Sequence, residues 1–167
     1  CLDTSGIMFP KKHTGTDQIS ERETSLTGIS ENMASDRMEK IDQLMSVTDL
    51  VMLDIKHIND EEHQKLTGQS NSNILAFAKY LDSIGKPVWI RHVVVPGITF
   101  DEKELTELGM FLKTLHNVEK LEVLPYHSMG KVKYDNLGMD YVLKDTPQLT
   151  KAEAKEAERI IRAAMEQ

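Results

Sequence analysis

The sequence predicts an α/β fold organised around an incomplete parallel barrel. Short apolar segments bounded by polar residues alternate along the chain with longer segments of helical spacing, which is the order of strands and crossover helices in a parallel sheet. The segments between strands have the length of right-handed crossovers. Three strands and a short stub at residues 1–3 are too few to close an eight-stranded barrel. Half of an open sheet is the alternative architecture.

The first half of the pattern begins with a buried strand at residues 50–55, which are apolar and flanked by polar residues. Helices are predicted at 60–66 and 71–84. The second of these has apolar residues at helical spacing and stops before Gly85, a residue type common at helix C-termini.

The second half of the pattern contributes two further strands and two helices, predicted at residues 88–95, 101–115, 121–124 and 151–165. The strand at 88–95 is apolar on both faces and is closed by the turn pair Pro96 and Gly97. Pro125 interrupts the last strand, and Thr150 is a candidate N-cap for the terminal helix.

Residues 11–36 differ from the rest because they are rich in Thr, Ser, Glu, Gly and Lys and show no sustained apolar period. We expect an inserted, mobile surface loop there. The remainder is predicted to be a single partial-barrel domain that spans residues 1–167.

The composition indicates a globular, cytoplasmic protein that associates with neither nucleic acid nor membrane. The chain has 167 residues, a net charge of -7 and no apolar run long enough to cross a bilayer. Its single cysteine excludes an internal disulfide. Because the sequence opens on Cys1 and not on Met, we expect it to be a piece of a longer protein.

Asp54 and Lys56 stand at the end of the first predicted strand of the alternating pattern. Residues two apart on a strand share a face, so both side chains leave the sheet together. Ligands bind at the carboxyl ends of strands in α/β folds. The pair therefore predicts a ligand site.

Four segments, CLDTSG, TDLVMLDIKHIND, VWIRHVVVPG and VEKLEVLPYHSMGK, resemble in sequence and order the C-terminal part of the pyruvate formate-lyase activating enzymes, a family of the radical S-adenosylmethionine superfamily. The resemblance covers nearly the whole chain outside residues 11–36. It implies a partial (β/α)6 barrel with a four-iron four-sulfur cluster on a C-x3-C-x2-C loop. The reaction it implies is reductive cleavage of S-adenosylmethionine and hydrogen abstraction from a glycine-containing loop of pyruvate formate-lyase, with a flavodoxin or ferredoxin type protein as reductant.

This sequence departs from the family at the cluster, because Cys1 is its only cysteine and the cluster needs three thiolates. We therefore expect no catalytic residue in this chain and no activity from the chain alone.

The resemblance also implies a cation site, with a monovalent ion as the candidate, formed by Asp3, Thr4, Asp54 and the main-chain carbonyl of Met52. Hard cations prefer several oxygen ligands and can bridge a protein carboxylate to that of a bound amino acid. The alternative is that Asp3 and Thr4 only cap the segment that follows them.

Five residues are predicted to contact the cosubstrate S-adenosylmethionine. By resemblance, Asp54, Ile55 and Lys56 line its pocket, with Lys56 facing its carboxylate, and His127 contacts its nucleoside. A structural role is the alternative for His127. Arg91 is a candidate contact to the cosubstrate or the peptide.

Alternation in the strand at 88–95 sends Arg91 and His92 to opposite faces, so one of them should face the barrel interior. His57 and His63 are predicted to lie on the surface. Two rival functions remain open: an aldolase-like enzyme in which Lys56 forms a Schiff base with a carbonyl substrate, and a binding module without catalytic activity.

Overall fold

A computed structural model describes residues 1–10, 24–141 and 143–167. Within these residues, four strands and six α-helices follow one another along the chain. They are β1 (Leu2–Thr4), α1 (Thr24–Ser46), β2 (Val51–Asp54), α2 (Asp60–Thr67), α3 (Ser72–Ser83), β3 (Val88–Val94), α4 (Glu102–Lys113), β4 (Val118–Pro125), α5 (Lys131–Asn136) and α6 (Lys151–Glu166), with a 3-10 turn at Ser128–Gly130 before α5.

The four strands form one parallel sheet in the order β1-β2-β3-β4. Spatial order therefore follows chain order, as in a (β/α) barrel, whereas an open doubly wound sheet reverses direction at a switch point. This topology confirms the predicted α/β class with a parallel sheet, and its four strands in sequential order are one more than the three strands of half an open doubly wound sheet.

The two faces of the sheet have different surroundings. On the packed face, residues that alternate along β2 and β3 are fully buried beneath the helices: Val51, Leu53, Ile55, Val88, Ile90 and Val94. The intervening residues point to the other side of the sheet and are only partly buried. We call this second side the open face.

Helices α4 and α6 pack closely against each other on the packed face. Gly109 of α4 lies directly against α6, where a Cβ atom would approach the Ala164 Cβ to 2.6 Å and would also contact the Ile161 carbonyl oxygen. The start of α6 has a complete capping box, because Thr150 and Glu153 each bond the other's main-chain N–H. Gly109 thus allows α6 to approach α4 closely, and the capping box fixes where α6 begins.

The predicted loop at 11–36 is wrong in its second half, because α1 begins at Thr24. The apolar residues Leu26, Ile29 and Met33 recur at helical spacing, a period that the polar composition hides. Residues 11–23 lie outside the described part of the chain. The other predicted helices and strands occur within three residues of their predicted bounds.

Within the described residues, no helix combines the length and apolarity that a bilayer crossing requires.

Candidate functional site

Asp3, Asp54, Lys56 and Arg91 lie on the open face near the carboxyl ends of the strands. In the sheet register Asp3 lies beside Met52, and Asp54 lies beside Arg91, which in turn lies beside Glu122. Asp3 and Asp54 therefore stand one step apart on neighbouring strands and share a face. The structure thus brings together charged residues that are far apart in sequence.

Asp54 and Lys56 form an ion pair, with 2.7 Å between Oδ2 and Nζ. Their side chains are 24% and 37% exposed, respectively, so both can reach a ligand. The pairing confirms that the two side chains share a face. Formation of a Schiff base on Lys56 would have to break this ion pair, so the geometry weighs against the aldolase-like alternative.

Arg91 joins the two outer strands across the open face. Its guanidinium donates to Asp3 Oδ2 of β1 at 2.8 Å and to Glu122 Oε2 of β4 at 3.3 Å. These two carboxylates hold the pKa of Arg91 above its ordinary value. The predicted contact residue is thus a fixed cation at the centre of the face.

Two residues that the sequence reasoning missed, Lys120 and Glu122, belong to the same network. Lys120 donates to Glu122 Oε1 at 2.6 Å, and its Nζ lies 4.4 Å from the centre of the Trp89 ring, a cation–π contact. Hydrogen bonds from Lys120 and then Arg91 lower the pKa of Glu122. Alternation along β4 was the available signal, because Lys120 and Glu122 lie two residues apart.

The predicted cation site is a set of oxygen donors, which suits a hard cation. Asp3 and Asp54 share the open face, but Asp3 is paired with Arg91 and Asp54 with Lys56. Thr4 Oγ1 accepts the Gly6 N–H at 3.0 Å, so Thr4 does cap the following turn, as the alternative held.

No cluster of three or more His, Cys, Asp or Glu side chains with metal-binding geometry occurs in the described ranges 1–10, 24–141 and 143–167. A cation there would therefore need main-chain or ligand oxygens in addition to the two carboxylates. The predicted Met52 carbonyl and a ligand carboxylate are oxygens of this kind, so the donor set remains compatible with a hard cation.

Two predicted cosubstrate contacts differ in how they reach the site. The Ile55 side chain is fully buried in the core, its N–H donates to the Arg91 carbonyl at 3.0 Å, and its own carbonyl accepts from His92. Ile55 can therefore approach a ligand only through its backbone. His127 is exposed and follows β4 directly, at the same end of the sheet.

The three remaining histidines of interest are buried. His57 and His63 are each 2% exposed, so the prediction that they lie on the surface is wrong. Asn71 donates to the main-chain carbonyls of His57 and Ile58 and so ties the connection after β2 to the start of α3. His92 is 4% exposed on the packed face, which confirms that it and Arg91 point to opposite faces.

An iron–sulfur cluster does not fit this chain. Cys1 is free and exposed, and it is the only cysteine of the 167 residues. Three thiolates are needed to hold a cluster with one open iron, so no step through such a cluster is assigned to these residues.

Comparison with known sequences confirms the resemblance predicted from the four motifs. The chain is 50% identical over 124 residues to the pyruvate formate-lyase-activating enzyme of Streptococcus mutans serotype c, a match that covers 74% of the chain and 47% of the relative. The enzyme of the same name from Staphylococcus epidermidis is 49% identical over 120 residues, or 72% of the chain and 48% of the relative. No protein-family model matches the chain.

Solved structures share the fold. A domain of a pyruvate-formate lyase-activating enzyme from Bacteroides vulgatus superposes with a TM-score of 0.61 at 21% identity, covering 75% of this chain and 69% of that domain. A radical SAM methyltransferase from Sphaerobacter thermophilus gives 0.54 at 16% identity, over 75% of this chain and 35% of the methyltransferase.

The chain spans about half the length of the curated relatives it matches.

Proposed function

We propose that this chain, a homologue of the pyruvate formate-lyase-activating enzymes over its matched residues, is the S-adenosylmethionine-binding part of an enzyme that forms a glycyl radical on pyruvate formate-lyase. The observation that carries the proposal is the Asp54–Lys56 pair, which lies beside Arg91 at the carboxyl edge of a parallel sheet. Identity of 50% over 124 residues supports the assignment to this reaction.

The residues of the open face have distinct roles in holding the cosubstrate. Lys56 offers a partly exposed ammonium to the carboxylate of the methionyl group, where a point charge on a flexible stem suits a small anion. Asp54 keeps that ammonium above the edge of the sheet. His127 lies two residues after the end of β4, at the same edge of the sheet, and contacts the nucleoside.

A cation at this edge would be held by Asp3, Thr4, Asp54 and the Met52 carbonyl. Its positive charge would reduce the repulsion between the protein carboxylates and the cosubstrate carboxylate. Arg91 donates to Oδ2 of Asp3 at 2.8 Å, and because a carboxylate has two oxygens, Asp3 could hold a cation through the other one. Arg91 itself is the proposed contact to the cosubstrate or to the peptide.

The partner that carries the target glycine is pyruvate formate-lyase, and the electron donor is a flavodoxin or ferredoxin type protein. Both belong to the proposed activity of the whole enzyme. This chain alone is proposed to bind the cosubstrate but not to cleave it, because its single cysteine cannot hold the redox centre.

Calorimetric titration of the purified chain with S-adenosylmethionine, with and without added sodium or potassium, tests the proposal. Lys56→Ala should weaken binding by about tenfold or more, because a charge-assisted hydrogen bond contributes about 1.5–3 kcal/mol. Lys40→Ala is the matched control, because Lys40 forms a similar 2.6 Å ion pair with Asp36 on α1. Absence of binding by the unmodified chain, or equal affinity of the Lys56→Ala variant, would contradict the proposal.

Anaerobic incubation with iron and sulfide tests the separate statement that this chain holds no cluster. We expect no stoichiometric iron and no brown charge-transfer absorption after desalting. A stable cluster with one equivalent per chain would overturn it.

A further inference from the structure

His92 lies behind the candidate site, on the packed face of β3. Its Nδ1 atom is 2.8 Å from the carbonyl oxygen of Ile55. A carbonyl oxygen can only accept, so Nδ1 carries the proton in this contact. The bond therefore runs from the buried side of the sheet to the residue that separates Asp54 from Lys56.

The backbone after β2 is held at several further points. The Asn59 N–H donates to His57 Nδ1 at 3.2 Å, and the Asn71 side chain donates to the Ile58 carbonyl at 2.6 Å. The Ile55 N–H is itself bonded in the sheet. Lys56 thus extends from a segment whose main chain is fixed from behind by buried polar side chains.

The other nitrogen of His92 has no partner among the described residues. His92 lines a small cavity together with His57, Thr99, Glu104 and Leu108. Within the described part of the chain, the bond to Ile55 is therefore the one hydrogen bond of a ring that is 4% exposed. Burial of an imidazole with an unsatisfied nitrogen costs free energy, which indicates a role for the one bond that it makes.

We propose that His92 is a positioning residue that orients Lys56 through the Ile55 carbonyl. The inference rests on the proposed function, because it assigns His92 to the same cosubstrate site. Burial also lowers the pKa of His92, which keeps the ring neutral, with its proton on Nδ1. In this reading a side chain on the packed face sets the geometry of a binding group on the open face.

Two substitutions separate the hydrogen bond from the bulk of the ring. His92→Phe keeps a planar ring but removes the donor, whereas His92→Asn places an amide N–H near the position of Nδ1. The matched control is His63→Phe. His63 is equally buried, its Nδ1 bonds the Gln69 carbonyl at 2.7 Å, and its Nε2 is also unpartnered among the described residues. It lies on α2, and its ring bonds Thr67 and Gln69 at the end of that helix.

The first readout is the NMR signal of the Lys56 ammonium group, which reports on its ion pair with Asp54 without any ligand. We expect this signal to shift in His92→Phe, to return close to its original position in His92→Asn, and to stay unchanged in His63→Phe. An unchanged Lys56 signal in His92→Phe would overturn the inference, as would an equal shift in His63→Phe.

The second readout is affinity for S-adenosylmethionine in the same calorimetric titration. His92→Phe should bind about fivefold to tenfold more weakly, in keeping with the loss of one hydrogen bond. His92→Asn and His63→Phe should stay within about twofold of the unmodified chain. If the unmodified chain binds no S-adenosylmethionine, the proposed function fails, while the NMR comparison still decides whether His92 positions Lys56.

Discussion

Substitution of Gly109 by alanine tests the packing of α4 against α6, on which the terminal helix depends. The new Cβ would lie 2.6 Å from the Ala164 Cβ, whereas carbon atoms pack at about 3.5–4.0 Å. Helix α6 must therefore withdraw by about 1 Å, because the Ile161 carbonyl that also meets the new atom is main chain and cannot rotate away.

The expected loss of unfolding free energy follows from two opposed effects. Overpacking of this kind costs about 1–3 kcal/mol, and replacing a mid-helix glycine by alanine returns about 1 kcal/mol. Because the new Cβ meets main-chain atoms of Ile161, we expect the upper end of the overpacking cost and hence a net loss of about 2 kcal/mol, which lowers the urea midpoint by about 1 M.

Urea unfolding followed by circular dichroism measures this loss. Met110→Ala is the control, because Met110 is the next residue of α4 and is 58% exposed. Its change should stay within about 0.5 kcal/mol. A Gly109→Ala variant as stable as the unmodified chain would show that α4 and α6 are not in the close contact described.

Three further predictions concern the pH response, the edge strand and the terminal helix. Burial lowers the pKa of His92, so the unfolded chain gains a proton first as the pH falls below about 6.5. The free energy of unfolding should be highest above that pH and decline below it, and urea titrations at about pH 7.5 and 5.5 should show a smaller difference for His92→Phe. Arg91→Ala should speed amide exchange in Leu2–Thr4, because β1 loses its tie to β3; unchanged exchange would contradict the bridge. Thr150→Ala should lower the unfolding free energy by about 1 kcal/mol through loss of the capping box, whereas Thr150→Ser should change it little.

Local patterns account for most of the correctly predicted elements. β2 and β3 were located within a residue or two because short apolar runs between polar residues have few other interpretations. Helix α1 was missed because its start lies in a polar segment. The short helix α5 was missed as well, since six residues with exposed apolar side chains give no clear period.

The site divides between what spacing determines and what tertiary contacts determine. The shared face of Asp54 and Lys56, and the opposite faces of Arg91 and His92, follow from alternation alone and were predicted. The partners of Arg91 could not be predicted, because Asp3 lies 88 residues away in the chain and the register between strands decides which side chains meet. Alternation determines which residues share a face, but a register shift of two residues would keep every face and change the partners.

Neighbouring residues of β3 differ in how well they tolerate substitution. Trp89 and Val93 can be substituted at a modest loss of folding free energy, because their side chains are only partly buried. Ile90 and His92 tolerate far less, because each is enclosed by helices. A mutational library of β3 should therefore tolerate substitutions at Trp89 and Val93 better than at Ile90 and His92. Recognition could be engineered at the two tolerant positions.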